Sequence, residues 1–245
     1  MVEQAAADDR GTPGRAVPAV ERHPGVLVWR LPRPVLAISS GPHGGGLGVR
    51  HWALNATVPK DYARLDPDVH VGEIAAGLGL TGPGTGLLTA VDVRDVVLES
   101  DGGVRSWVTT GIGAHPTWAA GPPAGDLPEV GTINAVCVLP VRLADAALVN
   151  AVATVAEAKA QALGEAGVPG TGTVTDAVVL LCPLDGPVEP YGGPRSVIGS
   201  ALARTVHRAV HAGISLERAG TGTAVVTSNA RPTTMPGDGA TRRWP

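Results

Sequence analysis

The period of apolar positions along this chain changes several times. Between Ala146 and Gly164, apolar Leu148, Val152, Val155 and Ala156 recur at three- and four-residue spacing, which predicts an amphipathic helix of strong helix formers. Gly167, Pro169 and Gly170 stop it. Thr171-Gly-Thr-Val-Thr-Asp176 then reads as a hydroxyl- and glycine-rich turn, and Ala177–Cys182 as an unbroken apolar run, the pattern of a buried strand. Such a helix, turn and strand can aim one carboxylate, Asp176, from a rigid edge into a cleft, with Glu157 and Lys159 a few turns upstream.

The remaining segments follow in order. Residues 1–20 have no periodicity and read as a disordered leader. Gly25–Leu31 and Pro34–Ser40 read as two strands, joined in a hairpin around Pro32-Arg33-Pro34. Gly41-Pro-His-Gly-Gly-Gly-Leu-Gly48 comes next. Its glycines allow either backbone N–H groups converging on an anion or a tight strand connection, and His43, Gly44, Gly45 and Gly46 are its candidate binding positions. Val49–Val58 is a strand. Asn55, Lys60, Asp61 and Tyr62 gather at its end, as a site or as a solvated Lys–Asp pair with an Asn turn cap. Asp68–Leu80 reads as a short helix and Leu87–Asp92 as a strand. The next segment, from Asp92, is an edge strand or short helix ending in a hairpin turn at Asp101-Gly102, with Val104–Thr110 returning antiparallel.

Gly111–Pro116 closes that strand with glycines and His115, and Thr117–Glu129 is an irregular Pro/Gly-rich loop. Trp118 on it offers either a stacking surface for a flat ligand or a plug that tucks the loop down. Ala135–Pro140 is a core strand, and Asp145 a candidate N-cap. Ser196–Gly213 is a second long helix, with His207 and His211 one turn apart. That spacing permits a metal pair, but no third ligand is placed. The tail after about Leu216 reads as disordered. Together these segments predict an α+β fold: one layered domain (21–215) with a mixed β-sheet core and at least two long amphipathic helices, between a leader (1–20) and a Gly/Pro/Arg tail (216–245).

At 245 residues the chain can bury one sizeable core. A net charge of -3, with Arg242-Arg243 as the only adjacent pair of basic residues, disfavours nucleic acid. No apolar run is long enough for a membrane span and the start shows no signal-peptide profile, so a cytoplasmic location is the default expectation. Cys137 and Cys182 lie in apolar runs and read as inert core thiols, not as a disulfide or metal framework. No partner protein, oligomeric state or protein-bound metal is specified by the pattern.

Familiar hydrolase signatures, such as G-x-S-x-G and H-E-x-x-H, are missing. What recurs is an apolar strand ending in glycine, a hydroxyl and one ionisable or amide group: His43, Asn55 with Lys60 and Asp61, Asp92, Thr109 with His115, Asn134, and Asp176. Strand ends that converge can share a cleft, with amides or N–H groups steadying an oxyanion and a carboxylate or His as base.

Ser39-Ser40 with Gly44–Gly48, Asn55-x-Thr-Val-Pro-Lys-Asp-Tyr62, Leu88–Asp92, Thr110-Gly-Ile-Gly113, Gly131-Thr-Ile-Asn134, Glu157-Ala-Lys159 and Thr171-Gly-Thr-Val-Thr-Asp176 together resemble the adenosylcobinamide amidohydrolase family. The likeness covers about residues 25–213, and the order of the motifs makes it specific. It implies a corrinoid salvage enzyme that hydrolyses the amide joining aminopropanol to the corrin propionate, with no cofactor of its own, since cobalt arrives with the substrate. Two other readings are a non-catalytic corrinoid binder and an amidase for a different amide. In the catalytic reading Asp176 is base or water orienter, and Lys60 or His115, with Asp61 nearby, acid or electrostatic clamp. Asn55 and Asn134 steady the oxyanion. His43, Gly44, Gly45, Gly46, Tyr62, Asp92, Thr110, Trp118 and Glu157 line the pocket. A threonine nucleophile, Thr173 or Thr110, is the rival to activated water.

Overall fold

The computed structural model describes residues 18–113, 116–121, 131–220 and 227–228. In chain order these form β1 (Val20–His23), β2 (Val26–Ser39), β3 (Gly46–Thr57), α1 (Pro67–Gly77), β4 (Gly84–Thr89), β5 (Val97–Asp101), β6 (Val104–Gly111), β7 (Thr132–Val138), β8 (Arg142–Leu143), α2 (Asp145–Glu165), β9 (Ala177–Cys182), β10 (Val188–Glu189), α3 (Val197–Ala219) and β11 (Thr227–Ser228). A 3₁₀ turn, Val93–Asp95, precedes β5. A mixed nine-stranded sheet runs β11-β5-β6-β7-β9-β2-β3-β4, with β1 added to β2. The leader and most of the tail expected from the sequence lie outside the described residues.

Period-two alternation sorts each strand's side chains between two cores. In β9, Val178, Leu180 and Cys182 pack toward α2 and α3, with Ala135 and Cys137 of β7 and Val108 of β6. Val179, Leu181, Val136 and Trp107 point the other way and meet Leu27, Trp29, Ala53 and Leu87 from β2, β3 and β4. A third cluster, with Trp52, Leu54 and Ala56, carries α1 on Val71 and Ala75. Both cysteines are buried thiols, and burial pushes Cys137 up to about 12, so it has no thiolate to offer at neutral pH.

The hairpin read around Pro32-Arg33-Pro34 is not made. β2 runs through it as one 14-residue strand, and its ladder with β3 shifts register between Arg30 and Val35. Neither proline has an N–H to give a ladder, and residues 32–34 are exposed there, so a local irregularity absorbs them at an unpaired stretch.

The chain reverses instead through the glycine loop after Ser39. Gly86 N–H donates to the His43 carbonyl (3.1 Å), and the Arg50 guanidinium donates to the carbonyls of Gly44 (2.8 Å) and Gly45 (3.3 Å). Gly44 is left-handed at φ 59°, and a Cβ there would run into the Gly84 carbonyl. His43 stacks on Trp52 (5.6 Å between centroids), with its Nδ1 2.9 Å from the Asp68 carbonyl oxygen. The loop's glycines and its His thus fasten β4 and α1 to the sheet.

Two helix ends differ from the pattern. Ala144 is the N-cap of α2; Asp145 is already helical and pairs with Arg142 (3.4 Å). At the start of α3, Ser196 Oγ accepts from Gly199 N–H (3.0 Å). That helix continues past Gly213, because this glycine provides close approach to the sheet: a Cβ there would lie 2.5 Å from Thr110 Oγ1. The extra turn matters, since Glu217 accepts from the N–H groups of Ile112 (3.0 Å) and Gly113 (3.2 Å) where β6 ends.

Between α3 and β5, Arg208 Nε donates to Glu99 (2.9 Å), a residue only 3% exposed. Removing the guanidinium takes a hydrogen-bonded cation away from this buried carboxylate. Arg208→Ala is therefore expected to lower unfolding free energy by about 2–3 kcal/mol. Urea titration checks this, and a change below about 0.5 kcal/mol would match an ordinary surface site instead.

Candidate functional site

The start of β9 is a dense polar junction built around Asp176. Its Oδ1 accepts from Ile133 N–H of β7 (2.9 Å) and from the Thr173 hydroxyl; its Oδ2 accepts from Thr173 N–H (3.0 Å) and from the Lys159 ammonium of α2. A Thr and an Asp three residues apart already make a compact turn. The bonds to β7 and α2 go beyond turn closure. They lock the turn to the sheet and to the long helix, so the carboxylate is positioned by three separate elements.

Gly172 lets this happen. A Cβ at that position would lie 2.7 Å from Lys159 Nζ and inside contact distance of Asp176 Oδ2, so the ion pair packs directly against bare backbone. Gly172→Ala is accordingly expected to shift these two side-chain ends and weaken their pairing, lowering activity while circular dichroism stays at wild type. Full activity in that variant would show that the observed pairing is dispensable.

The same turn carries the Trp118 segment. Thr117 N–H donates to the Gly172 carbonyl (2.8 Å), Thr171 N–H to the Thr117 carbonyl (2.8 Å), and Ala119 N–H to Thr171 Oγ1 (3.0 Å). Trp118 is left 61% exposed beside the junction. Thr132 Oγ1 and Thr175 Oγ1 are hydrogen-bonded (2.8 Å) on the adjoining strand start. The glycine loop leaves the sheet close by, where Val178 N–H donates to Ser40 Oγ (3.0 Å).

A second polar cluster lies one residue along β7. Asn134 Nδ2 donates to Asn55 Oδ1 (3.0 Å) and to the Leu88 carbonyl (2.9 Å), and Asn55 Nδ2 donates to Thr109 Oγ1 (3.2 Å). β7 and β3 are separated by β9 and β2 in the sheet, so direct bonds between them require the sheet to bend there. The strand ends of β3, β4 and β6 and the start of β7 therefore come together. Asn134 and Asn55 are 1% and 2% exposed; both Asn134 N–H groups and one of the two on Asn55 are engaged, by Asn55, Leu88 and Thr109. In this state they join β3, β4, β6 and β7.

Three matches outside the chain decide the family. The family model for adenosylcobinamide amidohydrolase matches residues 13–222. An adenosylcobinamide amidohydrolase of Methanosarcina mazei is 31% identical over 189 residues, covering 74% of this chain and 90% of that protein. Another, of Halobacterium salinarum, is 34% identical over 200 residues, covering 78% and 85%. The chain belongs to the adenosylcobinamide amidohydrolase family.

Within this family member the other expected site residues are placed unevenly. Lys60 and Asp61 are exposed on the turn after β3, and Tyr62 stacks on His70 with its hydroxyl 3.0 Å from Nδ1. Asp92 caps the 3₁₀ turn and is held below the usual carboxylate range by Arg94. Glu157 is exposed on α2. Thr110 faces Gly213 of α3, on the opposite face of β6 from Thr109. His115 lies outside the described residues. His207 is 2.8 Å from Glu165 and stacks on His211, and among the described residues no group of three or more His, Cys, Asp or Glu gathers. Among the same residues no helix is long and apolar enough to cross a membrane.

Lys159 is a residue to which the sequence alone assigns no role. The signal was present: it follows Val155 by four and Ala151 by eight, so it occupies the buried stripe of α2. A charge on a core-facing stripe calls for a counter-ion. The sequence names no partner, because Asp176 lies on another element.

Proposed function

We propose that this chain hydrolyses the amide joining the aminopropanol arm of adenosylcobinamide to a propionate of its corrin ring, giving 1-amino-2-propanol and adenosylcobyric acid. Residues 21–215 are the catalytic domain, acting in the cytoplasm, and the cobalt enters with the substrate. Family membership supports the substrate. The exposed Trp118 supports it further, as an aromatic face for a broad, flat ring on the segment hydrogen-bonded to the turn that holds Asp176.

The observation that carries the mechanism is the saturation of Asp176. Its two oxygens already accept four hydrogen bonds, about the full capacity of a carboxylate. A water could be activated there only by displacing one of them. The group whose proton Asp176 already holds is the Thr173 hydroxyl, which favours threonine as nucleophile. Thr173 Oγ1 attacks the amide carbonyl and its proton passes to Asp176 Oδ1. The C–N bond breaks as the nitrogen is protonated, leaving a corrinoyl ester on Thr173. Water then cleaves the ester, returning a proton to Thr173 and releasing the acid.

The test is incubation with adenosylcobinamide in the dark with and without hydroxylamine. An ester intermediate predicts that aminopropanol release continues while part of the acid product becomes hydroxamate. Release with no hydroxamate at saturating hydroxylamine overturns the threonine nucleophile in favour of activated water. Tight corrinoid binding without release overturns the activity and leaves a binding protein.

A further inference from the structure

The geometry points to Lys159 as the group that protonates the departing nitrogen. This inference rests on the amide hydrolysis proposed above and assigns its second proton transfer. Cleaving an unactivated amide needs one proton removed from the nucleophile and one delivered to the amine, which leaves far too slowly as an anion. Both positions lie on the same carbonyl carbon, so the two groups that serve them must be close neighbours. Around Asp176 such a pair exists. The Thr173 hydroxyl sits on one carboxylate oxygen and the Lys159 ammonium on the other.

Lys159 has the freedom the role requires. Of its three N–H bonds, Asp176 Oδ2 takes one, and its side chain is 17% exposed against 14% for Asp176. The pair is withdrawn from water without being sealed from a ligand. No other described side chain near this junction competes for this place: Lys60 is exposed on a separate turn, and the Asn55 and Asn134 carboxamides are not acids.

The proton balance closes. Thr173 gives its proton to Asp176 as the C–O bond forms, and Lys159 gives a proton to nitrogen as the C–N bond breaks. The neutral Lys159 amine then regains a proton from the neighbouring Asp176 carboxylic acid. The ion pair is restored, with the acyl group on Thr173 and the amine gone.

The experiment compares two leaving groups in the full chain: adenosylcobinamide itself, and the nitrophenyl ester of adenosylcobyric acid, whose phenolate departs without a proton. Lys159→Arg keeps the charge and the pairing with Asp176, but a guanidinium does not give up its proton. Lys159→Arg and Lys159→Met are expected to slow amide hydrolysis by about 10²–10⁴-fold. Ester hydrolysis should fall far less in both, and Lys159→Arg should unfold at the wild-type temperature. Equal losses on amide and ester would overturn the assignment and make Lys159 a positioning residue. A wild-type amide rate in Lys159→Arg would overturn it too, reducing the role to charge. Thr173→Val, run alongside, tests the nucleophile: if it retains both activities, the threonine reading falls while the amide-to-ester contrast at Lys159 still decides this inference.

Discussion

Thr173→Val is expected to lower aminopropanol release from adenosylcobinamide by about 10⁴-fold or more, the scale seen when a covalent nucleophile is removed. Valine matches threonine in shape, so a side chain that is 9% exposed on a rigid turn is replaced without opening a cavity. The Thr173 N–H still reaches Asp176 Oδ2 at 3.0 Å, and the Lys159 and Ile133 bonds are untouched, so Asp176 keeps three of its four hydrogen bonds. What disappears is the hydroxyl and its proton. Thr173→Ser restores both and should recover most of the rate. A modest loss in the valine variant, with normal hydroxylamine behaviour in the wild type, would move the nucleophile elsewhere. The exposed environment of Lys60 and Asp61 would be the first place to look for a water-activating group.

Asp176→Asn is expected to damage both catalysis and stability. An amide is not a base for the Thr173 proton, and its NH₂ group would face two donors, the Thr173 N–H and the Lys159 ammonium. Aminopropanol release should fall by at least about 10³-fold. Unfolding free energy should drop by about 3 kcal/mol, because a mostly buried ammonium loses the carboxylate it pairs with. The two effects separate in a double variant. Adding Lys159→Met removes the stranded charge and should recover part of the stability, with activity still absent. If Asp176→Asn were fully active and as stable as wild type, neither the proton transfer nor the ion pair described here would hold.

How much of this was legible beforehand can be judged residue by residue. The unbroken apolar run Ala177–Cys182 is β9, buried on both faces as such runs require. The three- and four-residue spacing after Ala146 is α2, and the turn at Asp101 joins β5 to β6. The Thr171–Asp176 turn holds its carboxylate at the strand start. Each of these depends on a few consecutive residues and on backbone geometry alone. The motifs in their order also pointed to the family that the comparisons show.

Local pattern failed wherever a residue's meaning depends on what packs against it. Gly213 reads as a stop but is a contact surface for Thr110, and Pro32 with Pro34 reads as a turn but is an irregularity inside one strand. Asn55 and Asn134 stand far apart in the sequence, and nothing local shows that their amides meet. Lys159 was visible as a charge on a buried stripe, without an address for its counter-ion. Period and propensity are short-range properties and were carried by the sequence itself. Which glycine is a stop and which a contact, which amides meet, and which carboxylate meets Lys159 were decided by tertiary structure, because each depends on atoms brought together from distant parts of the chain.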